Sequence, residues 1–247
     1  MVSAAPPNLI DAPGTPEAAW RAWPGLSRLP AVDAADWSSA VVVAAHPDDE
    51  VLGAGGTIAA LAARGARLRL VALTDGEASH PREWESIGPR RAAETAAALT
   101  ALGARHAEVI RLTLPDSGLA VHEHEITARL RDLVAGFDIC LAPWDHDAHP
   151  DHEAAGRAAR AARGGEDLLW YPVWMWHWAR PGDPRVPWHS AVRVRLPRRL
   201  LAHKRRAIGC FASQLRDRGP GRGPVLEAAV VAHFVRDTEV LFPVSHR

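Results

Sequence analysis

The chain of 247 residues is 47% hydrophobic, enough to bury a full core as one large domain. Its 29 acidic and 29 basic side chains cancel, which excludes a general electrostatic pull toward nucleic acid or an anionic membrane, so any partner must be read from a site. With no run of about 18 apolar residues and no charged leader before an apolar stretch, the chain reads as cytoplasmic, without integral membrane association; its two cysteines, Cys140 and Cys210, are too few for a disulfide scaffold and read as reduced core residues.

Residues 1–38, rich in Pro and Ala, are expected to form an N-terminal arm that lays Trp20, Trp23 and Trp37 on the body, and 39–247 to form a single domain. From residue 41 a pattern repeats: an apolar strand, a polar corner, an Ala-rich helix, a glycine, then another strand. Strands are predicted near 41–45, 67–73, 107–112 and 138–142. Helices are predicted near 51–64 and 88–102, then in "HEITARLRDLVAG" and "DHEAAGRAARAARGG". Gly65, Gly103 and Gly136 stand where helices stop, because glycine accepts a left-handed backbone at no steric cost. This alternation predicts an α/β fold: a Rossmann-like, doubly wound, mostly parallel sheet with helices on both faces.

Past residue 168 the texture changes into a C-terminal β-rich extension expected to shape the substrate pocket. "WYPVWMWHW" spaces Trp170, Trp174, Trp176 and Trp178 at period two, as on a strand, with core packing as the default use and a sugar platform as the sharper one. "HSAVRVRLP" alternates again. "RRLLAHKRRAIGCFASQL" reads as an amphipathic helix whose cations form a solvated face. Residues 216–224 read as a mobile Gly/Pro/Arg loop, and "AHFVRDTEVLFPV" as a closing strand.

The stretch "AAHPDDEVLGAGG" (44–56) crowds His46, Asp48, Asp49 and Glu50 at the end of a buried strand. That much negative charge is costly there unless a cation or a hydrogen-bond network offsets it. The other predicted strands also end in polar groups: Asp75, then Asp116, then Asp145 with His146 and His149. Ligands of open α/β sheets sit outside the carboxyl ends of the strands, so these four corners are expected to converge. His46 and Asp49 suit zinc, and "WDHDAHPDHE" (144–153) offers a third ligand in His152 or His149. Three ligands leave a fourth position open, the pattern of a catalytic ion. Asp48, beside the ligands, can accept a proton from water, whereas Glu50 is expected to brace the corner and His146 has no assigned role.

"AHPDDE" followed downstream by "HPDH" resembles the LmbE-like superfamily of zinc-dependent de-N-acetylases, which includes the GlcNAc-PI de-N-acetylases (PIG-L). "TDGE" (74–77), "RRAAE" (90–94), "LPDSGL" (114–119) and "HKRRAIGCFASQL" follow in the expected order, extending the resemblance over roughly residues 40–215. It implies His46, Asp49 and His152 as metal ligands, Asp48 as general base and later acid, and His149 as oxyanion stabiliser. It further implies Asp151 as an outer carboxylate tuning His149, and Arg91 and Asp116 as contacts to substrate hydroxyls. The cofactor implied is Zn2+, although the donor set admits other divalent ions. The implied reaction is removal of acetyl from an N-acetylglucosamine-like small molecule. The alternatives are an amidase for larger acyl conjugates and a metal-binding homologue without turnover.

Overall fold

The computed structural model describes residues 9–80, 84–218 and 222–245. Eight strands make one sheet: β1 (Ala31–Val32), β2 (Ser39–Ala44), β3 (Arg67–Thr74), β4 (Glu108–Leu114), β5 (Ile139–Pro143), β6 (Asp167–Tyr171), β7 (Val192–Arg195) and β8 (Thr238–Pro243). Their order is β1-β7-β8-β6-β5-β2-β3-β4. β8 alone runs against the rest, antiparallel to both β6 and β7, and every other pairing is parallel. β2 and β5 are buried along their whole length, which is why they read as unbroken apolar runs and not as alternating ones.

The longer helices are α3 (Asp49–Ala63), α4 (Trp84–Ala101), α5 (Glu123–Val134), α6 (Pro150–Ala162) and α8 (Arg198–Ile208); the short ones are α1 (Glu17–Ala22), α2 (Gly25–Arg28), α7 (Met175–Trp178), α9 (Ala212–Leu215) and α10 (Ala228–Val231). Right-handed crossovers put α3 and α4 on one face, and the reversed direction of the next two crossovers puts α5 and α6 on the other. α8 packs on α3 and α4, and α5 on α6. Gly65, Gly103 and Gly136 each have φ between 73° and 81°, the left-handed stops expected after α3, α4 and α5. No helix among the described residues is long and apolar enough to cross a membrane.

The glycines after "AHPDDEVL" serve close packing. A Cβ on Gly53 would lie 2.0 Å from the Tyr171 ring, and one on Gly56 would lie 2.4 Å from Leu196. Tyr171 uses that approach to donate its hydroxyl proton to the Val43 carbonyl at 2.6 Å.

Two expectations are corrected. The tryptophan run is not one strand: β6 ends at Tyr171, and after Pro172 the chain turns into α7. The Asp147 carboxylate accepts the amides of Val173, Trp174 and Met175, leaving none of them for a strand ladder. The cations of α8 do not all face water either. Lys204 is buried, donating to Glu239 at 2.6 Å and to the Leu52 carbonyl at 2.7 Å. Glu239 also accepts from the Gly56 amide and from the amide and hydroxyl of Thr57, so this ion pair ties α8 and β8 to α3.

The N-terminal segment joins the same sheet through β1 and β7. Trp20 is fully buried, its indole N–H donating to the Trp176 carbonyl, while Glu17 receives Arg236 and His233. Of the loop expected over 216–224, residues 219–221 lie outside the described residues.

Candidate metal and catalytic site

Three strand ends meet at one cleft. After β2 the chain places His46 and then Asp48, whose φ of 123° is left-handed and strained for a non-glycine residue. Asp49 opens α3, accepting the His46 amide at 2.8 Å with Oδ2, which also lies 3.4 Å from His46 Nδ1. After β4 come Asp116 and Ser117. After β5 come Asp147 and His149, then Asp151 and His152 on the first turn of α6.

His152 is buried, its Nδ1 2.7 Å from Asp147 and its Nε2 3.3 Å from Asp49 Oδ1. That Nε2 has no hydrogen-bond partner, an orphaned buried atom directed at a carboxylate and two other imidazoles. The donor atoms of His46, His149 and His152 lie within 4.8 Å of one another, as do those of His46, Asp116 and Asp151. The Asp49 carboxylate borders both rings, Oδ1 lying 3.3 Å from His152 Nε2 and Oδ2 3.4 Å from His46 Nδ1. Two imidazoles and a carboxylate around an orphaned nitrogen therefore fit a divalent ion.

The electrostatics agree with a site that demands positive charge. Burial would lower the His46 pKa, but Asp116, Asp151 and Asp49 hold it well above the usual histidine value. Burial works the same way on His152, which Asp49 and Asp147 lift to about 9. Asp49, despite burial, is kept well below the carboxylate range by His152 and His46. His149 differs: burial, reinforced by its charged neighbours His152 and His46, pushes it down to about 3. Its Nδ1 accepts the Asp151 amide at 3.3 Å, so the neutral ring carries its proton on Nε2 and can donate it.

Asp48 is 6% exposed, and burial pushes its carboxyl up to about 7 against the pull of Arg91. Glu50 Oε2 accepts the Asp48 amide at 3.1 Å, the bracing expected of it. Its other oxygen has no partner, and burial raises its carboxyl to about 8.

Arg91 is 3% exposed and lines the cleft: it donates to the Gly76 and Pro47 carbonyls and to Asp48 at 3.2 Å, so it holds the candidate base, while its Nε has no partner. Asp116 lines the cleft, 3.1 Å from His46 Nε2, and accepts the Ala78 amide. The Asp151 carboxylate lies 3.2 Å from His46 and accepts the Ser117 and Leu119 amides, and its charge also acts on His149, raising that ring's pKa against burial as the expected tuner would. Asp75 pairs with Arg111, and Asp145 pairs with His146 and Arg160, so those acids stay out of the cleft. The residue that sequence reasoning missed is Asp147, in plain view inside "WDHDAHPDHE" but without a motif to mark it.

The cleft holds about 210 Å3, walled beyond the acids and histidines by Ser79, Val173, Trp174, Gln214 and Leu226. A larger cavity of about 970 Å3, between the N-terminal segment and α8, contains none of these groups.

Residues 41–163 match the family model described as PIG-L, GlcNAc-PI de-N-acetylase. A 1D-myo-inositol 2-acetamido-2-deoxy-alpha-D-glucopyranoside deacetylase from Saccharomonospora viridis is 35% identical over 195 residues, 63% of this chain and 72% of that protein. A relative of the same name from Corynebacterium glutamicum is 32% identical over 164 residues; the match takes in 55% of this chain and spans only 57% of that relative's length. Among solved structures, the conserved protein TT1542 from Thermus thermophilus is 30% identical with a TM-score of 0.55, over 71% of this chain and 79% of that one. With both of its motif corners meeting at one cleft, this chain belongs to the PIG-L, or GlcNAc-PI de-N-acetylase, family.

Proposed function

We propose that the protein is a zinc-dependent N-deacetylase that hydrolyses the acetamido group of an N-acetylglucosamine-like small molecule. The observation that carries this reading is the orphaned Nε2 of His152, aimed at Asp49 in a buried cleft that also holds Asp48. The names of the relatives, deacetylases of an acetamido-glucopyranoside, support the substrate class. A cleft of about 210 Å3 is smaller than the roughly 300–1,000 Å3 that encloses a drug-sized ligand, so it receives the acetamido end and leaves the rest of the substrate outside.

His46, Asp49 and His152 would hold the ion, which when bound would supply Lewis acidity toward a carbonyl and acidify water. Asp48 accepts the proton of the attacking water on the oxygen that Arg91 leaves free. It returns that proton to the amine nitrogen as the C–N bond breaks, giving acetate and the free amine. His149 donates Nε2–H to the carbonyl oxygen as negative charge develops there, and Arg91 keeps the Asp48 side chain in place.

The test is metal content of wild type and His152→Ala, with acetate release measured on the same samples from N-acetylglucosamine and its inositol glycoside. The reading expects zinc in the wild type, with metal and acetate release lost together in the variant. Wild type that takes up no metal after zinc reconstitution would overturn the site. Metal retained with release only of acids larger than acetate would replace the deacetylase with an amidase.

A further inference from the structure

We infer that Asp147 is a positioning residue that sets His152 for the metal and, with the same carboxylate, holds the cleft wall that carries Trp174. The inference rests on the metal site proposed above. Asp147 is fully buried, and the structure pairs it with no lysine or arginine among the described residues. Its charge is instead shared among four N–H donors. Nδ1 of His152 lies 2.7 Å from Oδ2, and the amides of Val173, Trp174 and Met175 donate at 3.1, 2.9 and 2.8 Å. The Asp147 carbonyl accepts the Trp178 indole N–H at 3.1 Å, so both polar ends of the residue grip the 173–178 segment.

Two consequences follow from this geometry. Because the carboxylate claims the proton on Nδ1, the neutral His152 ring presents its lone pair on Nε2, the atom that faces Asp49. The same carboxylate fixes the amides that lead into α7, and that turn sets half-buried Trp174 into the cleft lining. Metal retention and the shape of the substrate wall therefore depend on one side chain. The positive φ of Ala148, 65°, is the turn that lets Asp147 point inward while His149 begins α6.

The test measures zinc affinity by chelator competition in wild type, Asp147→Asn and Trp174→Ala, with KM and kcat for acetate release alongside. Asparagine keeps the shape and an acceptor oxygen but removes the charge that holds the Nδ1 proton. Zinc affinity is expected to fall about 10–100-fold in Asp147→Asn with a rise in KM, whereas Trp174→Ala is expected to raise KM at unchanged zinc affinity. Wild type that binds no zinc would overturn the proposed site and this inference with it. Wild type that binds zinc with Asp147→Asn binding equally well would overturn this inference alone. If Asp147→Asn does not fold, nitrogen-detected NMR of the zinc-loaded wild type decides: a slowly exchanging proton on His152 Nδ1 is expected, and a proton on Nε2 would overturn the assignment.

Discussion

Asp48, Ser117 and Ala148 hold left-handed backbone angles of 123°, 65° and 65° at the ends of three different strands, all beside the cleft. Such angles cost about 1–3 kcal/mol each in residues other than glycine, and they persist only where neighbours over-determine them. Here Glu50 and Arg91 grip Asp48, and the Asp151 carboxylate accepts the Ser117 amide. Asp48→Asn removes a proton acceptor without removing a metal ligand. It is expected to keep full zinc content while kcat for acetate release falls about 10²–10⁴-fold, checked by elemental analysis and steady-state assay. His46, Asp48, Asp49 and His152 were legible in the sequence because the chemistry demands those side chains at short spacings after apolar runs. Arg91 stood out only as a substrate contact and Asp147 not at all, because neither spacing nor motif names the backbone groups they bond. Arg91 reaches Pro47 across 44 positions and Asp147 reaches Val173 across 26, so their roles exist only once the strands are assembled.

α3 packs against α8 and against strands β2, β5 and β8. Gly53→Ala would drive a methyl into the Tyr171 ring and displace its hydroxyl from the Val43 carbonyl. A loss of about 1–3 kcal/mol in urea denaturation is expected. Against the same helix, Lys204→Met would leave Glu239 with backbone and hydroxyl donors but no cation, at an expected cost of about 3–5 kcal/mol. Adding Glu239→Gln should recover part of that loss. At the other end of the chain, burial alone would raise the Glu17 carboxyl, yet hydrogen bonds from His233 and Arg236 bring it from 4.5 to about 2. A carboxyl lowered in the folded state stabilises above its unfolded pKa of 4.5 and loses that contribution as pH falls toward 2. The urea midpoint of Glu17→Gln should thus lie below wild type at neutral pH and approach it between pH 4.5 and 2. The strands from β2 to β5 and their helices were legible from hydrophobic period and glycine stops. α7 was not, because period-two tryptophans mimic a strand; Pro172, which has no amide proton for a ladder, was the one local sign against it.

At the scale of the whole molecule, an ion that binds only the folded chain stabilises all of it by mass action. Zinc at about 100 times its Kd should add about 2.7 kcal/mol and raise Tm by about 5–10 °C, an increment expected to vanish in His152→Ala by differential scanning calorimetry. Global topology carries a different consequence. Among the described residues β8 comes last along the chain, yet it lies inside the sheet between β6 and β7. A ribosome making this protein therefore exposes the open edge of β6 and leaves β7 without its neighbour until β8 has emerged. β1, near the start of the described residues, has its strand partner in β7, far along the chain. Until β8 fills the gap, the unpaired edge of β6 is a template for wrong pairing, and that interval is when the nascent chain is most open to aggregation.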